Sequence, residues 1–281
     1  MEFLELLKAI LIGIVQGITE WLPVSSTGHM ILFDELFPLN MSEDFKDFFL
    51  VAIQLGSILA VCVLYFHKLN PLSRKKSKAE RDATWRLWGN VLIGCLPAGI
   101  LGVLLDDWID ARFYSETARF PVVGTTLLLY GIAFIAVERL RRGKAPRLGD
   151  VHAFTWRDAL LVGGFQVLSL IPGTSRSGST ILGASLLGIG RSAAAEFSFF
   201  MALPVMAGAT LLKGLKFLLS GVGVTGAEIG ILIAGVLVAF LVSLVAIRFL
   251  MDFVRRHSFE AFGWYRIALG GVVLLYWCLA K

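Results

Sequence analysis

Six stretches of the chain are predominantly apolar for about twenty residues each, at about 48–66, 86–105, 119–138, 197–219, 228–250 and 262–280. A helix of roughly 20 apolar residues crosses the hydrocarbon core of a bilayer, so each stretch predicts a membrane span. Two further regions, about 4–37 and 158–190, are long enough to enter a membrane but are broken midway. The first breaks at Pro23 to Gly28 and the second at Pro172 to Gly178, and both breaks crowd hydroxyl side chains behind a proline. Irregular backbone facing lipid would leave its N–H and C=O groups unpaired, so such breaks must be buried in protein or line a wet cavity. The pattern therefore predicts an all-α polytopic membrane protein with six transmembrane helices and two re-entrant helical hairpins.

The broken regions are related to each other. An offset of 149 carries Pro23 onto Pro172, Ser25 onto Thr174 and Ser26 onto Ser175, and it still carries Asp47-Phe48 onto Glu196-Phe197. At an offset of 146, Gly124 and Tyr130 match Gly270 and Tyr276. One membrane domain, 1–281, thus divides into two repeats of about 1–140 and 155–281, each a hairpin followed by three spans. The loops from His67 to Arg81 and from Arg139 to Arg147 are both strongly basic, which assigns both to the cytoplasm. Two spans lie between them, as that assignment requires. Propagated along the chain, the first hairpin enters from outside, the second from the cytoplasm, and both termini lie outside. Repeats of opposite topology place their broken helices together near the bilayer midplane.

Composition agrees with this picture. Of the 281 residues, 57% are hydrophobic and 17% charged, and the mean hydropathy is +0.76. The net charge of +5 sits in short clusters between apolar segments, so it reads as membrane topology and not as a nucleic-acid surface. The three cysteines, Cys62, Cys95 and Cys278, are widely spaced in apolar stretches and are expected as buried free thiols. Glu2 and Glu5 precede Lys8, and the apolar run leads into Gln16 and Glu20, so no cleaved signal peptide is expected. Trp85, Trp108, Trp156 and Trp264 fall near span ends, where tryptophan anchors a helix at the interface. Asp106, Asp107 and Asp110 read as a solvated boundary.

The candidate chemistry lies at the breaks. Gln16 and Glu20 are four residues apart, on one helical face. A carboxylate inside the membrane costs about 2.5–3.5 kcal/mol on insertion scales, so Glu20 is expected either to act or to neutralise Arg176. In P-V-S-S-T-G-H, Ser25, Ser26 and Thr27 can cap the outgoing helix, Gly28 lets the backbone come close to a ligand, and His29 adds a titratable ring. A helix N-terminus with its unpaired N–H groups is a ready anion site. The second break, Pro172-Gly-Thr-Ser-Arg-Ser-Gly-Ser-Thr180, sets Arg176 among hydroxyls, a donor array suited to phosphate oxygens.

Q-G-I-T-E-W-L-P-V-S-S-T-G-H at 16–29 and P-G-T-S-R-S-G-S-T at 172–180 resemble the two signatures of the undecaprenyl-diphosphatase family, the bacitracin-resistance BacA/UppP proteins. V-A-I-Q-L-G-S-I-L-A-V at 51–61 and E-F-S-F-F-M-A-L-P at 196–204 extend the resemblance over essentially the whole chain. It implies hydrolysis of undecaprenyl diphosphate to the monophosphate, assisted by a divalent cation, at a site opening to the outer face of the bacterial plasma membrane. Carried onto this sequence, the catalytic set is Glu20, Ser26, His29 and Arg176. Ser25, Thr27, Gly28, Gly173, Thr174, Ser175, Ser177 and Thr180 bind substrate. Glu20 and Gln16 hold Mg²⁺ or Ca²⁺ jointly with the diphosphate. The family's first motif is (E/Q)-x-x-x-E, and the glutamine variant here cannot act as a base, which leaves that task to Glu20. Ser26, activated by His29 or Glu20, is the favoured nucleophile, with direct attack by His29 or by a metal-bound water left open. The partners are the lipid substrate and the bilayer; a homodimer is left open and nucleic acid is not expected. The competing reading is a secondary transporter or flippase of a polyprenyl phosphate lipid, because broken helices in inverted repeats also build transporters.

Overall fold

Each of the six apolar stretches is a helix in the computed structural model, which describes residues 2–115 and 117–279. Position 280, the last of the sixth stretch, lies outside the described residues, as do 1, 116 and 281. In chain order the helices are α1 (Glu2–Thr19), α2 (Ser26–Leu36), α3 (Glu43–Leu64), the single turn α4 (Phe66–Leu69), α5 (Lys78–Phe113), α6 (Arg119–Arg141), α7 (Trp156–Val167), α8 (Arg176–Leu186), α9 (Arg191–Leu219), α10 (Gly226–Arg256) and α11 (Glu260–Leu279). Helices α3, α5, α6, α9, α10 and α11 are long and apolar enough to cross a membrane. The two broken regions are the helix pairs α1/α2 and α7/α8, interrupted where the hydroxyl-rich motifs stand. Among the described residues there is no strand, only an isolated bridge between Leu148 and Ile189.

Several helices run past the apolar stretch that predicts them because polar capping boxes start them early. Ser77 and Glu80 begin α5, Thr155 and Asp158 begin α7, and Thr225 and Glu228 begin α10, each pair satisfying N–H groups that a helix start leaves open. Trp85, Trp108, Trp156 and Trp264 are all exposed, as interface anchors should be. Asp106, Asp107 and Asp110 are exposed too. The cysteines are unpaired, but Cys278 is exposed on the outer face of α11, so it is not the buried thiol its apolar context suggested.

Helix packing crosses between the halves of the chain. α1 lies against α10 and α7 against α5, while α6 pairs with α11 and α3 with both α9 and α10. Glycines set the close approaches, as at many helix crossings in membranes. A methyl group on Gly13 would stand 2.8 Å from the carbonyl oxygen of Gly235, and one on Gly163 would stand 2.2 Å from that of Gly94. At one polar end Lys68 meets Glu196 (2.5 Å), Arg191 meets Glu138 (2.5 Å) and Arg142 meets Glu260 (2.9 Å), drawing the basic loops together. At the other, Lys213 meets Asp47 (3.1 Å), Arg119 meets Glu35 (2.8 Å) and Lys8 donates to the carbonyl of Pro38 (2.6 Å). The open ends of α1/α2 therefore sit at the second face. Those of α7/α8, where Arg147 pairs with Asp158, sit at the first.

Candidate active site

Both helix breaks solve the same backbone problem in the same way. Ser25 (φ 75°) and Ser175 (φ 71°) are the only non-glycine residues of positive φ among those described. Each caps the helix that follows: Ser25 Oγ accepts from the N–H of Gly28 (3.2 Å), and Ser175 Oγ accepts from the N–H of Gly178 (3.1 Å). Left-handed serine is strained, and strain of this kind persists where the surroundings enforce it. The caps stand 150 residues apart, one more than the prolines, so with cap set against cap Ser25 falls on Ser175 and Ser26 on Arg176.

Ser26 and Arg176 are thus the first residues of equivalent helices, and both reach Glu20. Ser26 Oγ donates to Glu20 Oε2 (3.0 Å), Gln16 Nε2 donates to the same oxygen (3.0 Å), and Arg176 Nη2 donates to Oε1 (3.0 Å). Glu20 lies one residue past α1, its N–H still donating to the carbonyl of Gln16 (3.0 Å), which keeps the two side chains on one face. Arg176 is fixed from behind, where Nη1 donates to the carbonyl of Ser198 (2.7 Å). The Ser177 hydroxyl donates to the carbonyl of Glu20 (3.1 Å), stitching the two breaks together.

Arg266, in the middle of α11, completes the joint. It is fully buried. Its Nη1 donates to the carbonyl of Pro23 (3.0 Å), and its Nη2 donates to those of Gly173 (2.7 Å) and Thr174 (2.9 Å), so one guanidinium grips both breaks. Tyr130 lies beneath it, 5.1 Å from ring centre to guanidinium carbon. A side chain at Gly178 would meet Arg266 Nη1 at 2.9 Å, which accounts for glycine there.

A cavity of about 480 Å³ opens onto this cluster. Glu20, Ser26, Thr27, Gly173, Ser175 and Arg176 line its polar floor; Gln54, Gln166 and Ser169 add polar wall. Val103 of α5 and Leu212 of α9 stand at its apolar side, and both are more than half exposed on the outer surface of the helices. Pro97 in α5 and Pro204 in α9 each remove a helical N–H near this wall, and Pro204 lines it.

Residues 9–272 match the family described as bacitracin resistance protein BacA. The chain belongs to that family. An undecaprenyl-diphosphatase of Enterococcus faecalis is 53% identical over 277 residues, covering 99% of this chain and 99% of the relative. Undecaprenyl-diphosphatases of Limosilactobacillus fermentum (51% over 276 residues, 98% and 99% covered) and Streptococcus mutans (51% over 282 residues, 100% and 99% covered) are similar along the same length.

Within this BacA-family site, the expected residues separate into two groups. Gln16, Glu20, Ser26 and Arg176 form one bonded cluster, and Thr27, Gly173 and Ser175 join its cavity wall. Ser25, Thr174, Ser177 and Thr180 are buried and spend their hydroxyls on the fold. Thr174 donates to the carbonyl of Ile171 (2.8 Å), and Thr180 donates to Ser198 Oγ (2.7 Å), behind Arg176. Gly28 packs under its cap serine. His29 turns away from Glu20: its Nδ1 contacts the carbonyl of Ser25 (2.7 Å) and its Nε2 the hydroxyl of Tyr265 (2.7 Å). A carbonyl can only accept, so Nδ1 carries the proton and Nε2 accepts from Tyr265. Arg266 escaped the reading of the motifs, although a charged residue within an apolar span is itself a signal of function.

The residues fit a divalent cation only in one manner. Among those described, no three His, Cys, Asp or Glu side chains cluster to make a protein cage. Of the described residues that line the cavity, Glu20 is the single carboxylate, with the Gln16 amide beside it. This donor set suits a hard cation whose remaining ligands are substrate oxygens.

Proposed function

We propose that this chain is an undecaprenyl-diphosphatase, hydrolysing undecaprenyl diphosphate to undecaprenyl phosphate and phosphate, and so recycling the cell-wall lipid carrier and conferring resistance to bacitracin. The observation that carries the reading is the Glu20 carboxylate held between Ser26 and Arg176 at the floor of one cavity (both 3.0 Å). A hydroxyl nucleophile, a base in contact with it and a fixed guanidinium are the parts that phosphoryl transfer needs.

In the resting cavity Arg176 is neutralised by Glu20. An arriving diphosphate offers Arg176 oxyanions in place of the carboxylate, which frees Glu20 to take the Ser26 proton. Ser26 Oγ then bonds to the terminal phosphorus as the bond to the bridging oxygen breaks, and undecaprenyl phosphate leaves. Glu20 passes that proton to the departing undecaprenyl phosphate and, again a carboxylate, deprotonates the water that attacks the phosphoserine; as the Ser26–phosphorus bond breaks, Ser26 Oγ takes the proton back from Glu20 and phosphate departs. Arg176, Thr27 and the N–H groups at the start of α2 and α8 face the charge on the transferred phosphoryl group. His29 and its Tyr265 partner brace the start of α2. Glu20, with the Gln16 amide oxygen, would hold the divalent cation, which when bound offsets charge on the diphosphate.

The same features support an inverted-repeat architecture in which α1/α2 and α7/α8 are re-entrant hairpins. Their caps match, their open ends lie at opposite polar faces, and each packs its first arm on a span of the other half. The basic loops support a cytoplasmic position for the Lys68, Arg142 and Arg191 face, in a bacterial inner membrane. Val103 and Leu212 lie toward the other end of their helices, so the cavity faces outward, with the prenyl chain leaving between α5 and α9 into lipid. The test is phosphate release from undecaprenyl diphosphate by the purified chain, its Arg176→Ala and Glu20→Ala variants, with and without chelator. Full activity in Arg176→Ala would sink the site.

A further inference from the structure

With the two cap serines aligned, the hairpins differ in chemistry where Glu20 stands as well as at Ser26 and Arg176. In that register Gly13 falls on Gly163, Gln16 on Gln166 and Gly28 on Gly178, but Glu20 falls on Leu170. The Gln16 amide donates to Glu20 (3.0 Å). Its counterpart has no carboxylate to meet. Gln166 is 1% exposed, and neither its Oε1 nor its Nε2 has a hydrogen-bond partner. Among the described residues it is the one side chain with two unpartnered buried polar atoms.

A buried primary amide left unpaired is costly, and most such groups in folded proteins find a partner. Gln166 is also part of the cavity wall, next to Ser169 and Leu170 and in the same cavity as Arg176. Three side-chain torsions let the amide turn from the wall into the lumen. A partner from solution that receives an N–H beside a guanidinium is an oxyanion. We propose that Gln166 is a substrate-contacting residue whose Nε2–H donates to an oxygen of the diphosphate held by Arg176, the substrate standing where Glu20 stands beside Gln16. The inference rests on the diphosphatase reading. The Oε1 atom then accepts from a hydroxyl or water in the cavity.

The test uses the full chain in detergent, with undecaprenyl diphosphate titrated against wild type, Gln166→Met, Gln166→Glu and Arg176→Ala in parallel. Methionine keeps the length of the side chain and removes the hydrogen bonds. Loss of one hydrogen bond to a charged group is expected to raise KM roughly ten- to hundredfold. Because the contact already exists in the ground state, kcat should change by less than about threefold. Gln166→Glu should be worse than Gln166→Met, since it sets a carboxylate against the diphosphate. A second readout needs no turnover: inorganic pyrophosphate should raise the Tm of wild type and raise that of Gln166→Met less. Unchanged KM together with an unchanged pyrophosphate shift in Gln166→Met would overturn the inference, leaving a merely structural amide. Should Gln166→Met fail to fold, Gln166→Asn, which withdraws the amide by one methylene, must show the same rise in KM or the inference falls. If Arg176→Ala is inactive while Gln166→Met is normal, this inference alone fails. Full activity in Arg176→Ala overturns the diphosphatase site and this contact with it.

Discussion

Replacing Arg266 with methionine should cost far more activity than stability. The guanidinium makes three hydrogen bonds to carbonyls, at 3.0, 2.7 and 2.9 Å, one to the first break and two to the second. At about 1.5 kcal/mol for a bond involving a charged group, the low end of the usual range, their loss amounts to roughly 4–5 kcal/mol. Against this, a fully buried guanidinium pays a desolvation cost of several kcal/mol, and a methionine of similar length does not. The two contributions nearly cancel, so the Tm of Arg266→Met in detergent should move by only a few degrees. No such cancellation protects the site. Without the grip on Pro23, Gly173 and Thr174, the starts of α2 and α8 lose their fixed separation, and Ser26 and Arg176 ride on those starts. Misplacing a reacting group by about 1 Å costs on the order of a hundredfold in rate. The assay is kcat and KM for undecaprenyl diphosphate beside thermal melting of the same samples. Arg266→Lys should recover only part of the rate, because a compact ammonium cannot fork to both turns. A kcat within threefold of wild type in a folded Arg266→Met would refute the argument.

Glu20→Gln should lower kcat by about 10²–10⁴-fold, the usual range for a lost general base. It should also lower Tm, because the half-buried Arg176 is left beside a neutral amide; adding Arg176→Met should recover stability without activity, as measured by melting and phosphate release. Ser26→Ala should abolish the trapping of labelled phosphate on the protein in acid-quenched turnover, and sustained turnover in that variant would move the attack to water. Gly163→Ala should destabilise the fold by about 1–3 kcal/mol, since its methyl would sit 2.2 Å from the Gly94 carbonyl oxygen. Gly164→Ala, where nothing lies within 4 Å, should melt at or above wild type.

The spans were legible because lipid demands uninterrupted apolar helices, and the breaks because nothing else explains prolines and hydroxyls inside a membrane. Helix ends were not, since the boxes at Ser77, Thr155 and Thr225 extend helices through polar residues that hydropathy discards. The cluster of Gln16, Glu20, Ser26 and Arg176 could be assembled from the motifs alone. What spacing could not convey was direction. His29 lies three residues beyond Ser26, on a helical turn that aims it at Tyr265, 236 residues away. Thr174 and Thr180 carry the same hydroxyl as a substrate ligand would, but Thr174 turns it to the carbonyl of Ile171 and Thr180 to Ser198 Oγ. Arg266 lies outside both motifs, and only the fold brings α11 between them.

The one-residue difference between the register of the prolines and that of the caps changes how the site is understood. In the 149 register, serine lies opposite serine, and the breaks look like two copies of one anion loop. With Ser25 set against Ser175, Ser26 lies opposite Arg176 and Glu20 opposite Leu170, so the two positions that supply the ion pair and the hydroxyl differ, while the cap serines, Gln16 and Gln166, and the glycines at 13 and 28 match. In the cluster one carboxylate stands against one guanidinium at 3.0 Å. That asymmetry is also what the chemistry requires, because a base beside a hydroxyl and a cation beside a phosphoryl group are different tasks. Two strained helix starts with matching caps bring Ser26 and Arg176 to one carboxylate, and the difference between those two side chains is what the proposed phosphatase uses.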